Sequence, residues 1–121
     1  ALRGDFAMVR QMDFLPDNRH LLVAEDYGRW SLRRLDIEAG QPDPAWTELR
    51  IDGGAVALAP SGDRVAVAGR GRVSIHDLGT GGRPRGFVLE HMVKRCAMLW
   101  IDDAALAIRT DYGCASIYAV A

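Results

Sequence analysis

The chain has 121 residues, 49% apolar and 26% charged, with a formal charge of −1. That is the composition of one globular domain, and it excludes a disordered tail, which lacks the apolar residues to offset its ordering entropy. The charge balance offers no global basic field for nucleic acid. Apolar runs such as 97–101 and 55–59 fall far short of the ~20 residues of a membrane-crossing helix.

Residues 2–6 leave room for one short strand at the start of the chain. Four strands are then predicted at 9–15, 20–25, 30–37 and 45–51, separated by Pro-Asp-Asn, Asp-Tyr-Gly and Gly-Gln-Pro-Asp-Pro turns. Four more fall at 55–59, 64–68, 72–78 and 86–90, separated by Pro-Ser-Gly-Asp, Gly-Arg-Gly and Gly-Thr-Gly-Gly-Arg-Pro. The last three are at 95–101, 105–109 and 114–120. Turn signals every 8–12 residues with period-two alternation between them are what short antiparallel strands require. No window shows a 3.6-residue period with caps at both ends, so no long helix is predicted. Phe14, Leu22, Leu58, Val65, Val67, Val73, Ile75, Trp100, Leu106, Ile108 and Ile117 are expected to be mostly buried in the complete assembly.

The strands repeat. Residues 12–24 align without gaps on 56–68, an offset of 44, and 98–108 form a third copy one residue shorter in its turn. Leu35-Asp36-Ile37 matches His76-Asp77-Leu78 and then Tyr118-Ala119-Val120, and Asp26-Tyr27-Gly28 returns as Asp111-Tyr112-Gly113. The repeats run over about 1–40, 45–81 and 86–121 of a single segment, 1–121.

Four strands at a spacing of 40–45 residues resemble the blades of WD-repeat β-propellers. Residues 57–68 are similar to that family's strand a, Pro-Asp-Gly turn and strand b. Residues 73–78 are similar to its strand c, with His76 where Trp is usual. His91, nine residues before Trp100, holds the place of the family's Gly-His histidine, with Glu90 in place of Gly; Tyr118-Ala119 replaces Trp-Asp. The resemblance implies an all-β fold, a β-propeller segment of three four-stranded antiparallel blades in a d-abc framing. Strand 2–6 would then pair with the last strand, 114–120, of a neighbouring chain or blade. Three blades fall short of the four to eight of closed rings, so completion is expected from missing blades or from a second copy, head to tail, as a homo-dimer.

No constellation for chemistry stands out. His20, His76 and His91 scatter over a strand start, a strand and a loop, without the spacing that a metal or a general base needs. Gly69-Arg70-Gly71-Arg72 precedes no helix and is read as a tight hairpin and not as a phosphate cradle. Ser61 belongs to a turn. Asp102-Asp103 and Asp36 with Glu38 are read as solvated turn acids. Arg3-Gly4-Asp5 matches an adhesion tripeptide by letters alone. Cys96 and Cys114 are too few for a disulfide framework and are expected to be free, buried thiols. No catalytic residue, metal site or cofactor is predicted.

Arg, Tyr and Trp are enriched at binding hot spots, and such residues gather near certain connections. Tyr27, Arg29, Arg70, Arg72, Lys94, Arg95 and Tyr112 form a candidate partner-binding rim, and Arg33 and Arg34 add cations on one strand. The expected function is a non-catalytic interaction or scaffolding module for a protein partner, with neither nucleic acid nor membrane as target. A fragment of a larger propeller enzyme or ligand sensor is the alternative. An oligomeric carbohydrate-binding propeller ranks below both, because only Tyr27 and Tyr112 repeat. A cytoplasmic location is expected from the absence of a secretory signal. Fourteen Arg against the single Lys94 is the usage of a GC-rich bacterial genome.

Overall fold

The computed structural model describes residues 8–26, 30–43, 49–51, 55–69, 71–78, 85–88, 96–110 and 115–120. They form strands and turns only, in three antiparallel sheets. The first sheet runs β1 (Met8–Phe14), β2 (His20–Asp26), β3 (Trp30–Asp36) and β4 (Gln41–Pro42), and β5 (Leu49–Ile51) also pairs with β3. The second runs β6 (Ala55–Leu58), β7 (Arg64–Gly69), β8 (Arg72–Asp77) and β9 (Arg85–Val88). The third runs β10 (Cys96–Asp102), β11 (Ala105–Thr110) and β12 (Ala115–Ala119). The chain divides into two compact units, Ala1–Ile51 and Asp52–Ala121.

Within each sheet consecutive strands are neighbours, except that β5 pairs with β3 in the first. The central strands β2 and β7 are buried on both faces, whereas β11 buries Leu106 and Ile108 on one face and leaves Arg109 exposed on the other. Leu22, Val23 and Ala24 of β2 and Val65 to Ala68 of β7 are all buried. The repeat extends to the turns. Leu15 N–H donates to His20 O and Ala59 N–H to Arg64 O, both at 2.9 Å. Within those turns Asn18 N–H donates to Leu15 O, as Gly62 N–H donates to Ala59 O. Asn18 (φ 55°) and Gly62 (φ 79°) occupy the same left-handed position, which glycine adopts freely and asparagine tolerates best among the rest. Gly69 pairs with Arg72 across β7 and β8, with Gly71 at φ 74° between them. The Gly-Arg-Gly-Arg run is a hairpin, as expected.

In the second unit two sheets share one core. The second sheet contributes a face of small residues, Ala57, Ala59, Ala66 and Ala68 with Val73 and Ile75; the third contributes Trp100, Leu106, Ile108 and Val120. Met98 and Tyr118 pack at its margin. Large side chains seated on an alanine-rich face let two sheets approach closely and interdigitate without voids.

The structure departs from the sequence reading in several places. The fourth strand of the first set, expected over 45–51, is described only as β5, and the two-residue β4 precedes it. Arg10 and Ile101 fall where the strand registers shift, as β-bulges do. Phe14 is 60% exposed and Ile117 70% within this single chain, whereas both were expected to be buried in the complete assembly. Alternation assigns a side chain to a face, and none of the described residues covers these two in the single chain. The strand expected at 2–6 lies outside the described residues, and β12 has β11 as its only strand neighbour among them.

Candidate interaction surface

In each antiparallel sheet the b–c turn and the start of strand a lie at the same end. All the candidate rim residues belong by sequence to that end: Tyr27 and Arg29 between β2 and β3, Arg70 and Arg72 at the β7–β8 hairpin, Lys94 and Arg95 before β10, and Tyr112 between β11 and β12. Of these, Arg72 is described; Tyr27, Arg29, Arg70, Lys94, Arg95 and Tyr112 lie outside the described residues. Arg72 is exposed, and its guanidinium lies over Gly86 on β9. A Cβ at Gly86 would come within 2.9 Å of Arg72 Nε and 3.1 Å of the Val73 carbonyl. The glycine leaves the channel in which the arginine rests.

Arg33 and Arg34 are not part of a free cationic surface. Successive β3 residues point to opposite faces, and each arginine meets an acid on its own face. Arg33 donates to Glu25 Oε1 at 3.1 Å. Glu25 is only 2% exposed, so the pair is largely withdrawn from solvent on the carboxylate side. On the other face Arg34 binds Asp43 Oδ2 through Nε at 2.8 Å and Nη2 at 2.6 Å. This pair continues into a polar network at the end opposite the rim. His20 Nδ1 lies 2.6 Å from Asp17 Oδ2, and its Nε2 is 3.5 Å from Asp43. Arg19 donates to both carboxylate oxygens of Asp36 at 3.3 and 2.9 Å and lies 3.4 Å from Glu38.

The network corrects the reading of Asp36 as a solvated acid, because it is buried against Arg19. Hydrogen bonds from Arg19, together with the Ala39 amide, hold the Asp36 carboxyl below its usual range. The His20 side chain and the His20 and Arg19 amides hold Asp17 well below it. Sequence reasoning missed these contacts: Arg19 meets Asp36 through the pairing of β2 with β3 at His20 and Asp36, whereas Asp17 meets His20 within its own turn. Asp102 caps its own turn by accepting from Ala104 N–H at 2.7 Å. Asp103 accepts from Ser61 N–H at 3.0 Å and links the turns of the second and third sheets. His76 is half-buried, and burial pushes its imidazole below the ordinary 6.5, favouring the neutral ring. His91, Cys114 and the Cys96 side chain lie outside the described residues. Among the described residues, no three His, Cys, Asp or Glu side chains are grouped to hold a metal ion, and no helix is long and apolar enough to cross a membrane.

Antiparallel sheets whose strands follow in sequence, the first two with matching turns, are blades of a β-propeller. Solved structures share this fold. The chain is similar to the β-propeller domain of Myceliophteria thermophila Cps50 (Swd1), with a TM-score of 0.60 and 13% identity over 93% of this chain and 39% of that one. It is also similar to Kluyveromyces lactis Hsv2, with a TM-score of 0.63 and 12% identity over 95% of this chain and 47% of that one. The chain thus spans less than half the length of either. No family model and no curated protein matches it.

Proposed function

We propose that the chain is a non-catalytic protein-interaction module whose b–c and d–a connections form a binding rim for a protein partner. What supports this reading is strand order: in the sequence every candidate falls in a connection from b to c or just before a strand a, and Arg72, which is described, lies at the b–c hairpin of the second sheet. The opposite end of the first sheet spends its charges on internal pairs. An exposed guanidinium laid across a glycine, as at Arg72, is a preordered donor and loses less side-chain entropy on binding a carboxylate or an aromatic face than a free one. The partner surface that fits is acidic and aromatic.

The test is site-specific photo-crosslinking from position 109, which is exposed at the same end of the third sheet, in cells that make the protein. The expected result is one discrete crosslinked partner whose recovery falls at least tenfold in Arg70→Glu/Arg72→Glu and is unchanged in Glu38→Lys at the opposite end. Equal recovery with both variants refutes the rim. A second reading, a segment of a larger propeller with its site at the ring centre, is favoured by the shares of 39% and 47% of the matched chains. In that case neither variant alters crosslinking, and ligand binding requires the remaining blades.

A further inference from the structure

Gly86 lies inside β9, where its backbone does not call for glycine. Among the described residues the glycines with positive φ are Gly40, Gly62 and Gly71. A glycine inside a strand weakens it, and often marks a place where another group approaches closely. Gly86 pairs with Ser74, which shares its face of β8 with Arg72. A Cβ at position 86 would lie 2.9 Å from Arg72 Nε and 3.1 Å from Nη2, too close for either to stay in place. The bare backbone is what admits the guanidinium.

Arg72 also differs from most arginines of the structure in its charge pairing. Arg10, Arg19, Arg33, Arg34 and Arg64 each lie within 3.4 Å of a carboxylate. Arg72 and Arg109 are exposed and meet no acid among the described residues. Arg72 rests on Gly86, whereas Arg109 stands between Ala97 and Ala115 on the neighbouring strands.

We propose that Gly86 is a positioning residue of the rim: by leaving its side-chain space to Arg72, it holds an unpaired guanidinium ready for one carboxylate of the protein partner. Gly86 has this role only if the rim is the binding surface, and it then deepens that reading. A single cation defines the ligand. Arg72 shares its face with Val65, Val67, Ser74 and His76, and burial favours the neutral ring of His76. No second Lys or Arg lies on that face of β7 and β8, so the site matches a carboxylate and not a doubly charged phosphate. Ordering a rotamer-rich side chain on binding weakens affinity about 2- to 10-fold, a loss that a guanidinium already seated on Gly86 avoids.

Nitrogen-15 NMR of the full chain reads the Arg72 Nε–H group directly. In the wild type its heteronuclear NOE is expected near that of the β8 backbone, with Arg109 mobile by comparison. The probe for binding is a blocked Glu-Tyr-Glu peptide, followed at the Val73 and Ser74 amides, which are expected to shift saturably. Gly86→Ala is expected to release the Arg72 Nε–H group and to weaken the peptide about 2- to 10-fold. Arg72→Gln is expected to weaken it further, and Gly86→Ala added to Arg72→Gln to change nothing more. An Arg72 as mobile as Arg109 overturns the role of Gly86, and this measurement needs no variant should Gly86→Ala lose its fold. Wild-type binding by Gly86→Ala, or an equal loss when position 72 is already Gln, overturns it too, while the loss in Arg72→Gln leaves the rim standing. Unchanged binding in Arg72→Gln, or no saturable shift in the wild type, overturns the rim at this position and Gly86 with it. Tighter saturation by inorganic phosphate than by the peptide overturns the carboxylate.

Discussion

Trp100 holds the two sheets of the second unit together in two ways that can be separated by substitution. Its ring is 6% exposed among Ala57, Leu106 and Ile108, and its N–H donates to the Ala57 carbonyl. Trp100→Phe keeps an aromatic body and removes the donor. The lost hydrogen bond costs about 0.5–1.5 kcal/mol, since Ala57 still pairs with Ala66 in the ladder. The smaller ring adds a cavity term of about 1 kcal/mol at ~24 cal/mol per Å³. Trp100→Ala removes the whole anchor and belongs with the ~3–5 kcal/mol of large aromatic truncations. Urea unfolding at one fixed protein concentration, followed by circular dichroism, reads the difference. With a slope of about 1–3 kcal/mol per molar urea, Trp100→Phe lowers the midpoint by about 1 M. Amide exchange should accelerate in β7 and β11 and stay unchanged in β2 and β3, which belong to the first unit. A midpoint within ~0.2 M of wild type, or an equal loss of protection in β2, refutes the assignment of Trp100 as the local anchor.

Removing one partner of the Glu25–Arg33 pair by Glu25→Ala costs about 2–3 kcal/mol, below the 3–5 of a fully buried pair because Arg33 retains contact with solvent; Glu25→Leu/Arg33→Leu together cost much less, read as thermal midpoints. Asp17 and Asp36 have folded pKa values below the ordinary 3.8, so their contribution is complete above that value and is lost as pH falls through the depressed ones. Asp17→Asn/Asp36→Asn should flatten the unfolding midpoint against pH at the acid end. His76 is held neutral by burial, so stability is full above about 6.5 and declines below it as the unfolded chain takes up the proton first; His76→Leu should remove that slope. Gly62→Ala forces a side chain into φ 79° at a cost of about 1–2 kcal/mol, whereas Asn18→Gly at the equivalent turn should be neutral or stabilising in the same melts.

Turn chemistry and alternation are local, and the features they control could be read before folding. The Pro-Asp-Asn and Pro-Ser-Gly-Asp turns, the hairpin at Gly71 and the central strands β2, β7 and β11 all lie where the residues place them. The two-residue β4 left no periodic trace, because Gln41–Pro42 has no alternation to detect. The Glu25–Arg33 and Arg34–Asp43 pairs were missed for a different reason. Each joins residues eight or nine apart that become neighbours only once strand register is set. The exposure of Phe14 and Ile117 shows a third kind of limit, since a period-two pattern identifies a face without identifying its cover. Arg72 was legible only as an arginine near a connection, and its packing depends on Gly86, fourteen positions away and on the next strand.

The seated contact of the second unit is directional: Trp100, Leu106 and Ile108 lie on one side of the junction, and Ala57, Ala66 and Ala68 on the other. If both sides carried the same large residues, two such sheets could stack in either order, and nothing would set the direction of packing. Bulk on one side and alanine on the other fixes that order, because the indole of Trp100 finds room only over small residues.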